Sequence, residues 1–211
     1  MCASYGLGGQ GQPVYLRGLD LFPEEAVSLF ESWLEERGGE ARLGTTRGPK
    51  GPFSPVFGPD GFEESWWWLW VGGAPAKGMS YNARSEKLVE SRQWRPAFQR
   101  RIIIPASHYF ETANVPAMRG RFRFTNPDGT VLFIAGVSSL IRDQPVPSSF
   151  AMVTREPTQG AAQVHDRMPL VVPASFVQTW LDPDRAGDEE LRAEALQASD
   201  EVVGGLVYER V

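Results

Sequence analysis

The chain of 211 residues, 42% apolar and 22% charged, has the length of one domain and a globular composition, which excludes a wholly disordered, collagenous or coiled-coil protein. Its formal charge of −5 excludes a general electrostatic affinity for nucleic acid, so any site for a polyanion has to be local. One cysteine and two histidines exclude an internal disulfide and leave few soft ligands for zinc. No metal or cofactor is expected. No apolar run approaches the roughly 18–20 residues of a spanning helix, and the start MCASYGLGGQ is neither basic nor hydrophobic enough for a signal segment. The expectation is a cytoplasmic monomer with no membrane partner.

Residues 24–37 place Val27, Phe30 and Leu34 on one face, with Pro23 before and Gly38-Gly39 after, which predicts an amphipathic helix. The Gly/Pro-rich residues 44–61 predict a long loop within the single domain spanning 1–211. Residues 66–71, with Trp66, Trp67, Trp68 and Trp70, read as a core strand. Residues 101–104 (RIII) predict a strand ending at Pro105, and 109–111 a second short extended piece. Phe122 and Phe124 alternate with Arg121 and Arg123, Asn126-Pro127-Asp128-Gly129 supplies turn chemistry, and 130–137 is apolar; this is the clearest hairpin signal. Residues 150–154 and 170–172 predict further strands, separated by a loop or short helix that carries His165. Helical spacing covers 173–181 and 189–198, the acidic 182–190 reads as a solvated approach to a helix, and 202–211 suggests a last edge strand. Consecutive strands with inserted helices favour an α+β fold around a bent antiparallel sheet.

Three basic stretches, Arg42, Arg47 and Lys50, then Arg92, Arg95, Arg100 and Arg101, then Arg119, Arg121 and Arg123, are either solvated surface or local polyanion sites. Cys2 is chemically unusual. Removal of Met1 would put an α-amine and a thiol on one residue; the amine, with an ordinary pKa near 7.7–8.0, can attack an aldehyde to form an imine, and the thiol can close a thiazolidine. Asn82-Ala83-Arg84-Ser85-Glu86 reads equally as a capping loop, with Ser85 as cap, or as an orienting amide plus a phosphate-binding fork. Glu111 sits among aromatics whose burial would raise its pKa towards neutrality, fitting either proton transfer or a structural buried acid. His165 precedes Asp166 and Arg167, an acid and a base that can set its tautomer in a structural or a catalytic role.

Together these segments are more specific than any alone. Cys2, NARSE at 82–86, RIIIPA at 101–106 leading into Tyr109-Phe110-Glu111, and VHDRMP at 164–169 resemble, in order and spacing over nearly the whole chain, the SRAP family of abasic-site processing proteins. The resemblance implies a barrel-like β core with peripheral helices and a DNA-binding cleft, in which an N-terminal Cys crosslinks to abasic sites in single-stranded DNA during the DNA damage response. By the same resemblance Cys2 is the crosslinking residue, Asn82 and Glu111 the polar pair around it, and His165 the histidine beside the sugar. Arg84, Trp70 and Arg167 are the expected DNA contacts. The sequence departs from the family pattern at Ala3-Ser4-Tyr5, in the Trp-rich 66–73 and at Thr112, which puts a backbone contact, a phosphate-binding arginine and base stacking in doubt. An N-terminal-nucleophile peptidase, with Met1 release as its own reaction, and a noncatalytic single-stranded DNA module are the alternatives.

Overall fold

In chain order, the computed structural model, which describes residues 2–8, 18–46 and 52–211, contains β1 (Ser4–Leu7), α1 (Glu24–Glu35), β2 (Ala41–Gly44), β3 (Ser54–Gly58), β4 (Gly61–Trp67), β5 (Trp70–Val71), β6 (Ala74–Pro75), β7 (Asn82–Arg84), α2 (Trp94–Ala97), β8 (Arg101–Ala106), β9 (His108–Thr112), β10 (Arg121–Thr125), β11 (Leu132–Leu140), β12 (Ser148–Arg155), β13 (Met168–Pro169), β14 (Val171–Val172), α3 (Ala174–Leu181), α4 (Glu189–Val203) and β15 (Val207–Arg210). Five strands close on themselves: β12 pairs with β4, β4 with β3, β3 with β8, β8 with β11, and β11 with β12 again. Closure removes the sheet edges and explains why β8, β11 and β12 are almost continuously buried rather than alternating. The short strands β7 and β13 extend β12, and β14 extends β11. A second sheet runs β15-β10-β9-β1-β2. The α+β class and the barrel core with peripheral helices are therefore as the sequence suggests.

Several local expectations change. The loop at 44–61 gives way to β3, whose residues are all buried and whose hairpin with β4 turns around Pro59-Asp60; Gly61, at φ 107, takes a conformation that L side chains rarely adopt. The apolar surface of Val56 and Phe57 outweighs the breaker-rich composition around it, Phe57 stacking on Phe22 with ring centroids 4.0 Å apart. Residues 47–51 of that loop, including Arg47 and Lys50, lie outside the described residues. The turn at 126–129 exists, with the Gly129 N–H donating to the Asn126 carbonyl, but it does not close a hairpin. β10 uses its two edges for β9 and β15, whereas β11 enters the barrel. β10 alternates buried Phe with half-buried Arg, as suits a sheet with one covered face; β11 has both faces covered. The third change is that β12 pairs in parallel with β4 and β7, so the barrel sheet is mixed. Lastly, β8 continues through Pro105 to Ala106, and α4 runs to Val203, capped by the Asp188 side chain accepting from the Leu191 N–H.

Arg101 belongs to this framework and not to a polyanion site. Its guanidinium is buried and donates to the carbonyls of Trp180, Phe98, Asp182 and Arg185 at 2.5–2.8 Å, tying β8 to the end of α3. Burial lowers its pKa.

Candidate active site

The site lies where the two sheets meet. β1 can approach β9 because position 6 is glycine: a Cβ there would lie 2.3 Å from His108 Nε2. That pairing, Tyr5 opposite Tyr109, puts Cys2 at the head of β1 beside the buried end of β9. Cys2 is fully buried, its Sγ 3.5 Å from the Ser4 carbonyl. Across the seam, β7 is held parallel to β12 with Asn82 opposite Met152, and the Asn82 Nδ2 donates to the Cys2 carbonyl at 2.6 Å. Asn82 Oδ1 is buried without a hydrogen-bond partner among the described residues. Such an acceptor is costly to leave unmet in a folded interior.

Glu111, 3% exposed, lies on the same face of β9 as Tyr109. Burial pushes its carboxyl from the ordinary 4.5 up to about 8, so it is mostly protonated at neutral pH. The same burial raises the Cys2 thiol well above its ordinary value, with the charge of Glu111 adding to the effect. His165 follows a single helical turn at Gln159–Gln163, and its Nε2 stands 3.8 Å from Glu111 Oε2. Burial lowers its pKa, so the ring is neutral near pH 7. Its Nδ1 faces two oxygens, Arg167 O at 3.1 Å and Asp166 Oδ1 at 3.0 Å, and one donor, the Arg167 N–H at 2.9 Å. Two acceptors against one donor, together with a protonated acid beyond Nε2, assign the proton to Nδ1 and leave a lone pair on Nε2 facing Glu111. Asn114 fixes Asp166 by donating to its carboxylate at 2.7 Å, which lowers that pKa. A neutral base thus confronts a neutral acid beside a thiol.

Outside them opens a cleft of about 400 Å³ lined by Ala3, Ser4, Arg42, Phe110, Glu111, Thr112, Arg121 and His165. Arg84 is exposed on the strand face of β7 that also carries Asn82. Trp70 is half-buried in a separate cluster, edge-on to Trp66 with centroids 5.5 Å apart; none of that cluster lines the cleft. Arg167 is buried and makes a two-pronged pair with Glu86 at 2.8 and 3.0 Å, plus a bond to the Thr154 carbonyl. It clamps the segment after β7 to the one that carries His165. Ser85 caps nothing; it starts a single turn and bonds Glu86. The structure therefore brings Cys2, Asn82, Glu111 and His165 together, holds Trp70 elsewhere and turns the Arg167 guanidinium to Glu86 while its backbone meets His165. It also adds Ser4, Arg42, Phe110, Asn114 and Arg121, which sequence reasoning did not single out as site residues. Arg42 and Arg121 were visible only as members of basic stretches.

A closed barrel joined to a second sheet, with a cysteine, an asparagine and a carboxylic acid–histidine pair at the seam, defines an α+β class of protein whose polar cluster lies between two sheets. The SOS response associated peptidase (SRAP) family matches residues 63–210, most of the chain, and the protein belongs to that family. The matched span holds Asn82, Glu111 and His165 but begins after Cys2. Geometry, through the Asn82 bond, attaches Cys2 to the others. Among similar proteins are the abasic site processing proteins YMR114C of Saccharomyces cerevisiae, 28% identical over 109 residues (50% of this chain, 29% of that protein), and YedK of Escherichia coli, 29% identical over 137 residues (64% and 57%). The matches cover less than two thirds of either relative. A solved structure of a protein from Bacteroides thetaiotaomicron has the same fold, with TM-score 0.70 at 16% identity, covering 98% of this chain and 91% of that one.

Proposed function

We propose that the protein processes abasic sites in single-stranded DNA in the DNA damage response, by bonding Cys2 covalently to the ring-opened sugar. One observation carries the reading: the Asn82 amide grips the Cys2 backbone at 2.6 Å and so draws Cys2 towards the Glu111–His165 pair. Names of relatives that process abasic sites support the substrate class.

In the proposed reaction, loss of Met1 frees the Cys2 amine, which attacks the C1′ aldehyde to form a carbinolamine. Protonated Glu111 donates a proton as the hydroxyl leaves as water, giving an imine. The thiol then adds across the C=N bond: sulfur bonds C1′, the thiol proton passes to nitrogen, and a thiazolidine closes. One water is lost in all. His165 receives and returns the proton of Glu111 through Nε2 once their 3.8 Å gap narrows by about 1 Å to hydrogen-bond distance. The unpaired Asn82 Oδ1 suits an amine N–H as donor. Arg84, exposed on the same strand face, would meet a flanking phosphate.

The thiol weighs against the peptidase alternative. An N-terminal-nucleophile peptidase needs its thiol deprotonated, by its own amine or by a histidine, whereas burial here holds the thiol pKa well above its ordinary value and His165 faces Glu111 instead. Intact mass measurement separates the readings. The expected result is a protein–DNA adduct, less one water, with an abasic oligonucleotide and none with the intact strand. Peptide turnover without an adduct would establish the peptidase, and reversible binding alone the noncatalytic module.

A further inference from the structure

The protein carries an overall charge of −5, and most of its buried and half-buried arginines are neutralised. Arg100, Arg123, Arg155, Arg167, Arg185 and Arg192 each pair with a carboxylate. Half-buried Arg121 and exposed Arg42 do not: neither forms an ion pair among the described residues, and both line the cleft that holds Glu111 and His165. They reach it from different strands. Arg42 extends from β2 opposite Gly6, and Arg121 from β10 opposite Thr112. Both guanidinium carbons stand over the ring of Phe110, at 5.5 and 4.0 Å from its centroid, within cation–π range. One N–H of Arg121 goes to Ser4 Oγ at 2.5 Å, which fixes the fork and leaves its other donors for a ligand.

Two like charges held at one mouth repel each other. Burial lowers the pKa of Arg121, and the charge of Arg42 lowers it further. Burial also drops His108, behind Phe110, to about 4, with Arg123, Arg121 and Arg42 contributing. An uncompensated cationic pair is unfavourable for the protein alone. A bound anion would relieve it.

We infer that Arg42 and Arg121, set around Phe110, clamp a phosphodiester of the DNA strand next to the reacting sugar. The inference rests on the proposed function for the identity of the strand, but its chemistry is that of a two-arginine fork for a singly charged phosphate, separate from Arg84 on β7. Phe110 keeps the two guanidiniums in place, so little side-chain entropy is lost on binding.

The test uses the full chain and a fluorescent intact oligothymidylate, a non-reacting strand, with anisotropy followed across a salt series. Arg42→Gln and Arg121→Gln should each weaken binding roughly tenfold at low salt, as for loss of a charge-assisted contact. Each should flatten the slope of log affinity against log salt by about 0.7, and the double variant by about 1.4. Arg42→Lys should keep the slope, and Arg192→Gln, whose parent side chain is paired with Glu189, should leave it unchanged. Because Arg42 is exposed, its variant tests the clamp even if Arg121→Gln perturbs β1. Wild-type slope in a folded Arg42→Gln/Arg121→Gln protein, or no binding of the intact strand by wild type, would overturn the clamp. Failure of wild type to capture an abasic strand while the two variants still flatten the intact-strand slope would instead sink the proposed function and leave the clamp standing.

Discussion

Glu111 shows how a single buried side chain sets the pH at which the site works. With its pKa about 8, it holds a donatable proton below pH 8, whereas the Cys2 amine, near 7.7–8.0 in an unperturbed terminus, is a nucleophile only above that range. The product of the two fractions is a bell. Crosslinking rate should therefore peak near pH 8 and fall on both sides, and Glu111→Gln should slow it by on the order of 10²-fold and abolish the alkaline limb. An unchanged single-turnover rate in that variant would remove Glu111 from the chemistry. Cys2→Ser keeps the amine but cannot close a thiazolidine; the expected product is a reversible imine, trapped only by borohydride, and a heat-stable adduct would contradict thiol closure. The aromatic neighbours of Glu111 and its raised pKa were legible in the sequence, because burial follows from Tyr109 and Phe110. The lone pair on His165 Nε2 was not, since it depends on oxygens brought to Nδ1 by the turn of the chain after it.

At the scale of elements, the sequence is most readable where hydrophobic period and breakers agree. α1 begins after Pro23 and packs Phe30 and Leu34 inward as its spacing predicts. It is least readable where closure of the barrel overrides local signals. The strand β3 hides within a Gly/Pro-rich stretch because both its faces are buried, and the turn after β10 links two sheets because β15, from the far end of the chain, occupies the edge a hairpin partner would take. Arg101 belongs to the same class: one arginine in a basic run becomes the fastener between β8 and α3 once four carbonyls converge on it. Arg101→Leu should cost roughly 3–5 kcal/mol, the loss of several buried hydrogen bonds less the relief of burying a cation. Urea denaturation measures it, and a loss below about 1 kcal/mol would show that water serves those carbonyls equally well. DNA affinity of the folded fraction should not change, which separates this arginine from Arg42 and Arg121.

Over the whole molecule, the site exists only because a barrel and a second sheet are held together, Cys2 and Glu111 coming from one and Asn82 and His165 from the other. That junction joins segments up to a hundred residues and more apart, and no local pattern could disclose it; the order of motifs along the chain was the only trace. Holding an acid and two histidines uncharged at this seam also makes stability depend on pH. Burial lowers both His108 and His165, so from pH 6.5 downwards the unfolded chain binds protons that the fold refuses, and stability falls as pH falls. Glu111 acts in the opposite sense: its pKa rises from 4.5 unfolded to about 8 folded, so the fold binds the extra proton and stability falls as pH rises through that window. Between 4.5 and 6.5 the two effects oppose each other. From 6.5 to 8 only Glu111 remains, and at about 1.4 kcal/mol per pH unit the fold loses on the order of 2 kcal/mol. Thermal melts should show a maximum near pH 6 to 6.5 and a decline towards pH 8, and Glu111→Gln, which cannot ionise, should flatten that decline. A wild-type melting temperature constant from pH 6.5 to 8 would mean that Glu111 is already ionised in the fold, and the neutral acid on which the proposed chemistry depends would be absent.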